Sequence, residues 1–126
     1  MKQLLDTHSF IWFVMGNPKI SVEVRSQIEN NENFLSTASI WEIAIKLSIG
    51  KLNFGIPFHV FIEQQLSPNG IELLDLKIDH ITVVATLPLH HRDPFDRMLI
   101  AQAMVEQIPI ISADRVFDAY PIQRLW

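Results

Sequence analysis

The sequence predicts an α/β fold: a parallel sheet covered by helices on both faces. Short apolar segments of strand length alternate with longer helical segments, and strands separated by helices pair in parallel. The 126 residues suit one domain that buries a core without staples, and 48% apolar with 19% charged residues is ordinary for a globular protein. Two strand-like segments end near an acid, Asp6 and Asp114, and sheets of this kind bind ligands outside the carboxyl ends of their strands.

Residues 3–5 form a short apolar strand ending at Asp6. Residues 9–15 are apolar and helical, closed by Gly16-Asn17-Pro18. Ser21 caps a second helix that runs to about Asn30, and residues 33–36 read as another short strand. The clearest helix is 37–49, with good helix formers, Thr37 as its cap and Gly50 to end it. Residues 58–66 form a helix behind Pro57, and 71–74 a strand after Gly70. Residues 78–87 are ambiguous: Ile81-Thr82-Val83-Val84 favours a strand on propensity, whereas the length and the end at Pro88 suit a helix. Residues 94–107 are helical, 108–112 form a buried strand just before Asp114, and the last residues add an edge strand near Ile122.

Several function classes drop out. The absence of cysteine removes disulfides, thiolate metal sites and cysteine nucleophiles. No apolar run approaches the roughly 20 residues that span a bilayer. Asp6 falls too early for a secretory leader, so a cytoplasmic protein is expected. The chain has no repeat, low-complexity stretch, Gly-rich phosphate loop or G-x-S-x-G motif. Of five histidines only His90 and His91 cluster, and adjacent residues rarely ligate one ion, which argues against zinc. The formal charge of −4 is unlike a nucleic-acid binder's basic surface, but two divalent cations would bring −4 to zero.

Four acids stand out, each with a plain structural alternative. Asp6 follows a strand and equally suits the cap of the next helix. Ser39, Glu42 and Lys46 form a narrow polar stripe on an otherwise apolar helix, which either lines a cavity or presents an exposed i, i+4 ion pair. Asp93 is the natural N-cap ahead of Pro94, which leaves Asp96 at the third helical position. Asp96 also shares a face with Leu99, Ile100 and Ala103, and a carboxylate directed inward needs a partner. Asp114 follows Ile110-Ile111-Ser112-Ala113 and suits a turn as well as a site.

Taken together, Leu4-Leu5-Asp6-Thr7-His8, Ser39-Ile40-Trp41-Glu42-Ile43-Ala44-Ile45-Lys46, Asp93-Pro94-Phe95-Asp96-Arg97-Met98-Leu99-Ile100-Ala101-Gln102-Ala103 and Ser112-Ala113-Asp114-Arg115-Val116-Phe117 resemble the PIN domain. The closer resemblance is to VapC-type toxins of bacterial and archaeal toxin–antitoxin pairs. Each motif is weak alone, but the four occur in the family's order and spacing across nearly the whole chain. The family's four acids match Asp6, Glu42, Asp96 and Asp114, and Ser112 keeps the hydroxyl of the family's usual threonine. Asp93 lies outside that quartet.

The resemblance implies a three-layer α/β/α fold with a parallel sheet of about four or five strands, and a helix over 78–87. It implies a ribonuclease that leaves a 5′-phosphate and a 3′-hydroxyl. Oxygen-only ligands select Mg²⁺ or Mn²⁺. Asp6 and Asp96 are expected to hold the principal ion, with Glu42 and Asp114 completing or orienting its shell. Thr7 and Ser112 are candidates for positioning water or phosphate, and Lys46, Arg92 and Arg97 for holding RNA phosphates. Apolar residues around Phe10-Ile11-Trp12-Phe13 and Trp41 exceed the needs of one small core, which with the resemblance points to a homodimer and an antitoxin partner. The competing readings are a catalytically silent PIN-like module that binds RNA or a partner, and a metal-dependent phosphatase.

Overall fold

The computed structural model describes residues 1–126. Its elements are β1 (Lys2–Leu5), α1 (Thr7–Val14), α2 (Val22–Glu29), β2 (Glu32–Ser36), α3 (Thr37–Ser48), α4 (Phe58–Leu66), β3 (Ile71–Leu74), α5 (Ile78–Thr86), α6 (Pro94–Glu106), β4 (Ile110–Ile111) and β5 (Arg124–Leu125). Two 3-10 turns, Ser67–Asn69 and Arg115–Ala119, lie in the connections. No helix is long and apolar enough to cross a membrane.

All five strands are parallel, in the order β3-β2-β1-β4-β5. The chain builds outward from β1 through β2 to β3, then returns to lay β4 and β5 on the other edge of β1. The order reverses between β1 and β4, and such a reversal opens a crevice at the carboxyl ends of the strands.

Successive strand side chains point to opposite faces, and here that alternation feeds two cores. Leu5, Leu35 and Ile111 join Phe10, Ile28, Ile43 and Phe61 under α1 to α4. Leu4 and Ile110 join Leu99, Ile100, Phe117 and Tyr120 on the other face, under α6 and the turn after β4. The result is the three-layer α/β/α arrangement expected. Burying one such side chain contributes about 1.5–3 kcal/mol, so a register slip in β1 would forfeit contacts on both faces.

The capping differs in detail from the expectation. Ser36, not Thr37, is the N-cap of α3; its Oγ accepts the Ala38 N–H at 3.0 Å. Helix α1 starts two residues before Ser9, because Asp6 Oδ1 accepts the Ser9 N–H at 2.7 Å. The edge strand falls at Arg124–Leu125, just beyond Ile122.

The ambiguous 78–87 segment is helical from Ile78 to Thr86. Its start is tied down by His80, fully buried, whose Nδ1 accepts the Lys77 N–H while Nε2 meets Glu106 Oε2 at 2.9 Å. The apolar surplus expected around Phe10-Phe13 is largely absorbed: Phe10 and Ile11 are buried, and Trp12 and Phe13 pack half-buried against the same core. Trp41 stays 61% exposed, its ring edge-on to Phe95.

Candidate active site

Asp6 leaves the end of β1 and is buried at the N-terminus of α1. Capping and candidate function coincide in it, since only one carboxylate oxygen is needed for the Ser9 N–H. Burial pushes its pKa above the ordinary carboxylate value, while hydrogen bonds from Ser112 and Ser9 pull the other way.

The polar stripe of α3 lies inward: Ser39 is fully buried and Glu42 only 7% exposed. Thr7 Oγ1 donates to Ser39 Oγ at 2.9 Å, which ties the start of α1 to this stripe. Lys46 Nζ sits 3.1 Å from Glu42 Oε2, the i, i+4 pair that the spacing allowed. Glu42 Oε1 is buried with no hydrogen-bond partner.

Asp93 caps α6, accepting the Asp96 N–H at 2.9 Å, as its place before Pro94 predicts. Asp96 is thereby fixed at the first turn with its carboxyl among the other acids. Burial pushes its pKa up to about 8, and the charges of Asp93, Asp6, Glu42 and Asp114 add to the rise. Each of the other three acids of the quartet is thus close enough for its charge to be felt at Asp96.

Asp114 follows β4, across the point of strand reversal from Asp6. Its N–H donates to Ser112 Oγ and its Oδ1 accepts the Val116 N–H, both at 3.0 Å. Its Oδ2 meets His91 Nε2 at 2.8 Å, and the same nitrogen lies 3.2 Å from Asp96 Oδ2.

The family model described as the PIN domain matches residues 4–123. The chain belongs to the PIN-domain family. PIN domains are generally nucleases, and PIN nucleases typically use divalent metals. No curated protein matches this PIN domain by sequence search. Solved structures share its fold. They include VapBC2 from Rickettsia felis bound to a promoter DNA fragment, with TM-score 0.75, 14% identity and coverage of 99% of this chain and 98% of that one. DNA-bound VapBC from Salmonella typhimurium gives 0.76, 18%, 99% and 97%. FitAcB from Neisseria gonorrhoeae gives 0.72, 19%, 98% and 96%.

The acids of this PIN domain fit a hard divalent cation. Their donors are oxygens, one of them buried without a partner, and the mutual repulsion that raises Asp96 is what a cation would relieve. Among the expected phosphate-holding groups, the structure separates three cases. Arg97 is committed to the chain's own backbone, donating to the carbonyls of Leu87, Pro88 and His91 at 3.0–3.2 Å. Lys46 is held by Glu42. Arg92 is exposed beside the acids in sequence.

His91 joins the site although the sequence does not single it out, because His90-His91 lacks the spacing of a metal-ligand pair. A usable signal was its place two residues before the cap Asp93, whose backbone N–H its Nδ1 accepts at 3.2 Å.

Proposed function

We propose that this PIN domain is an endoribonuclease that depends on Mg²⁺ or Mn²⁺, and that it is the toxin of a VapBC-type pair. The single observation that carries the catalytic reading is the grouping of Asp96 and Asp114 with His91, their ligand atoms within 4.8 Å of one another. The charges of Asp6 and Glu42 also bear on Asp96, and Glu42 Oε1 lacks a partner. The toxin reading is supported by the fold shared with VapBC complexes over nearly the full length of both chains. On this reading residues 1–126 act as one domain, in the cytoplasm, as a homodimer with an antitoxin partner. The exposed Trp41 supports a surface that a protein covers.

Asp6 and Asp96 would hold the principal ion, with Glu42 and Asp114 completing its shell. Bound there, a divalent cation supplies Lewis acidity that activates water for attack and offsets charge on the scissile phosphate. The chain's own residues do the positioning. Asp6 is fixed by its cap bond to Ser9, Asp96 by the Asp93 cap, and Asp114 by Val116 and His91. Ser112, fully buried, holds the turn that carries Asp114 by accepting its N–H. Thr7, through Ser39, holds the α3 stripe against α1. Arg92, exposed next to His91 in the chain, would be free to meet an RNA phosphate.

The test incubates the protein with single-stranded RNA, structured RNA or p-nitrophenyl phosphate, in Mg²⁺, Mn²⁺ or EDTA. RNA cleavage that requires metal and is lost in Asp96→Asn is the expected result. Hydrolysis of the aryl phosphate alone would make the protein a phosphatase. RNA binding without cutting in either metal would make it a binding module.

A further inference from the structure

Beside the four acids stands a histidine with both ring nitrogens engaged. His91 Nδ1 accepts the Asp93 backbone N–H at 3.2 Å, and an accepting nitrogen carries a lone pair and no proton. The ring proton is therefore on Nε2. That N–H donates to Asp114 Oδ2 at 2.8 Å, and Asp96 Oδ2 lies 3.2 Å from the same nitrogen without being hydrogen-bonded to it.

Nε2 and oxygens of Asp96 and Asp114 lie within 4.8 Å of one another, close enough to surround a cation. Ligation through Nε2 would move the ring proton to Nδ1, against the Asp93 N–H, so the geometry favours a donor over a ligand. The residue is also fixed in place: its backbone N–H donates to Tyr120 Oη at 2.7 Å and its carbonyl accepts from Arg97 at 3.2 Å. Its ring lies against Phe117.

A donor placed this way fixes the Asp114 carboxylate beside Asp96. An independent feature marks the pocket as one for a cation: Glu42 is 7% exposed, and its Oε1 has no hydrogen-bond partner. Carboxylates that ligate metals are in turn held by hydrogen bonds, and losing such a holder typically weakens metal binding about 10–100-fold.

We propose that His91 is a positioning residue for the divalent cation, its Nε2–H holding the Asp114 carboxylate beside Asp96 before the ion arrives. The inference rests on the metal-dependent reading above. It deepens that reading by adding to the site a side chain outside the acidic quartet.

The test is calorimetric titration of the full chain with MgCl₂ and MnCl₂, using wild type, His91→Gln, His91→Leu and Asp96→Asn. Ring ¹⁵N NMR of the wild type, with and without metal, reports the His91 tautomer. Gln offers an amide N–H where Nε2–H stood, whereas Leu keeps bulk and loses the donor. Expected results are Mg²⁺ binding about 10–100-fold weaker in His91→Leu, recovery in His91→Gln, and an Nε2–H tautomer that persists when metal binds. Wild-type affinity in His91→Leu would overturn the proposal. So would transfer of the proton to Nδ1 on adding metal, with Gln as poor as Leu, because the imidazole would then be a ligand. The tautomer measurement decides the matter even if a variant fails to fold. If wild type binds metal and Asp96→Asn does not, a failure at His91 leaves the metal reading standing; if wild type binds neither ion, both fall.

Discussion

Lys46 Nζ lies 3.1 Å from Glu42 Oε2, one turn along α3, while Glu42 Oε1 has no hydrogen-bond partner. The lysine compensates one face of a nearly buried carboxylate and leaves the other face to the acid cluster. Lys46→Met should therefore lower the stability of the EDTA-treated protein by about 1–2 kcal/mol, between the values for exposed and buried pairs. Added Mg²⁺ should recover more stability in this variant than in wild type. Urea unfolding with and without Mg²⁺ measures both. A variant with unchanged stability but a raised KM for RNA would instead make Lys46 a phosphate contact.

Asp6→Asn and Asp96→Asn should each fold and lose more activity than the roughly 10–100-fold that follows loss of an outer-shell partner. Asn keeps an acceptor oxygen, so the cap that Asp6 gives Ser9 survives while its negative charge is lost. Asp93→Asn keeps its cap by the same logic and should stay active. Circular dichroism and a labelled RNA report folding and cutting. An active, folded Asp96→Asn would remove that residue from the site.

The metal-free protein should become less stable as pH rises from about 5 to 8. Burial and the neighbouring acids raise Asp96 from 3.8 to about 8, and burial raises Asp6 as well. Between those limits the unfolded chain sheds protons that the folded state retains, so stability is greatest at the acid end and is lost as pH climbs through the folded value. Glu106 and Asp118 are lowered by His80 and Arg124, so their opposing effect falls at more acid pH, outside this window. Melting temperatures in EDTA at pH 5, 6.5 and 8 should fall in that order, with a shallower slope in Asp96→Asn. Saturating Mg²⁺ should flatten the wild-type slope, since an ion a hundredfold above Kd adds about 2.7 kcal/mol. A melting temperature that rises across this range would contradict the crowding of the acids.

Two arginines five residues apart should behave oppositely. Arg97 holds three carbonyls of the loop that carries His91, so Arg97→Ala should destabilise the fold by about 1.5–3 kcal/mol. Arg92 is exposed, so Arg92→Ala should change stability by no more than about 0.5 kcal/mol while weakening RNA binding in a salt-dependent way. Denaturation curves and RNA titrations at two salt concentrations separate the two. A stable Arg97→Ala with weakened RNA binding would reverse their roles.

The exposed Trp41 next to Phe95 should lie in the protein's self-association surface. Light scattering at micromolar concentration should return the mass of a dimer, and Trp41→Lys should shift it toward monomer. A monomer in wild type would leave Trp41 to the antitoxin alone.

Much of this protein was settled locally, by its sequence. Periodicity separated strands from helices, and caps such as Ser21 and Asp93 rest on bonds spanning three residues. The four acids were visible as two strand-end residues, one polar stripe and one inward residue at the first turn of α6. Tertiary structure decided the rest. It made 78–86 a helix against its β-branched propensity, because buried His80 links that segment to Glu106. It reversed the strand order between β1 and β4, which is what sets Asp6 beside Asp114. It brought His91 to Asp114 across 23 positions and turned Arg97 onto carbonyls up to ten positions back. Period and capping encode neighbours within a turn or two of the chain. Which distant residues share a pocket follows from strand order and from the two cores that β1 and β4 feed, and those exist only once the layers pack.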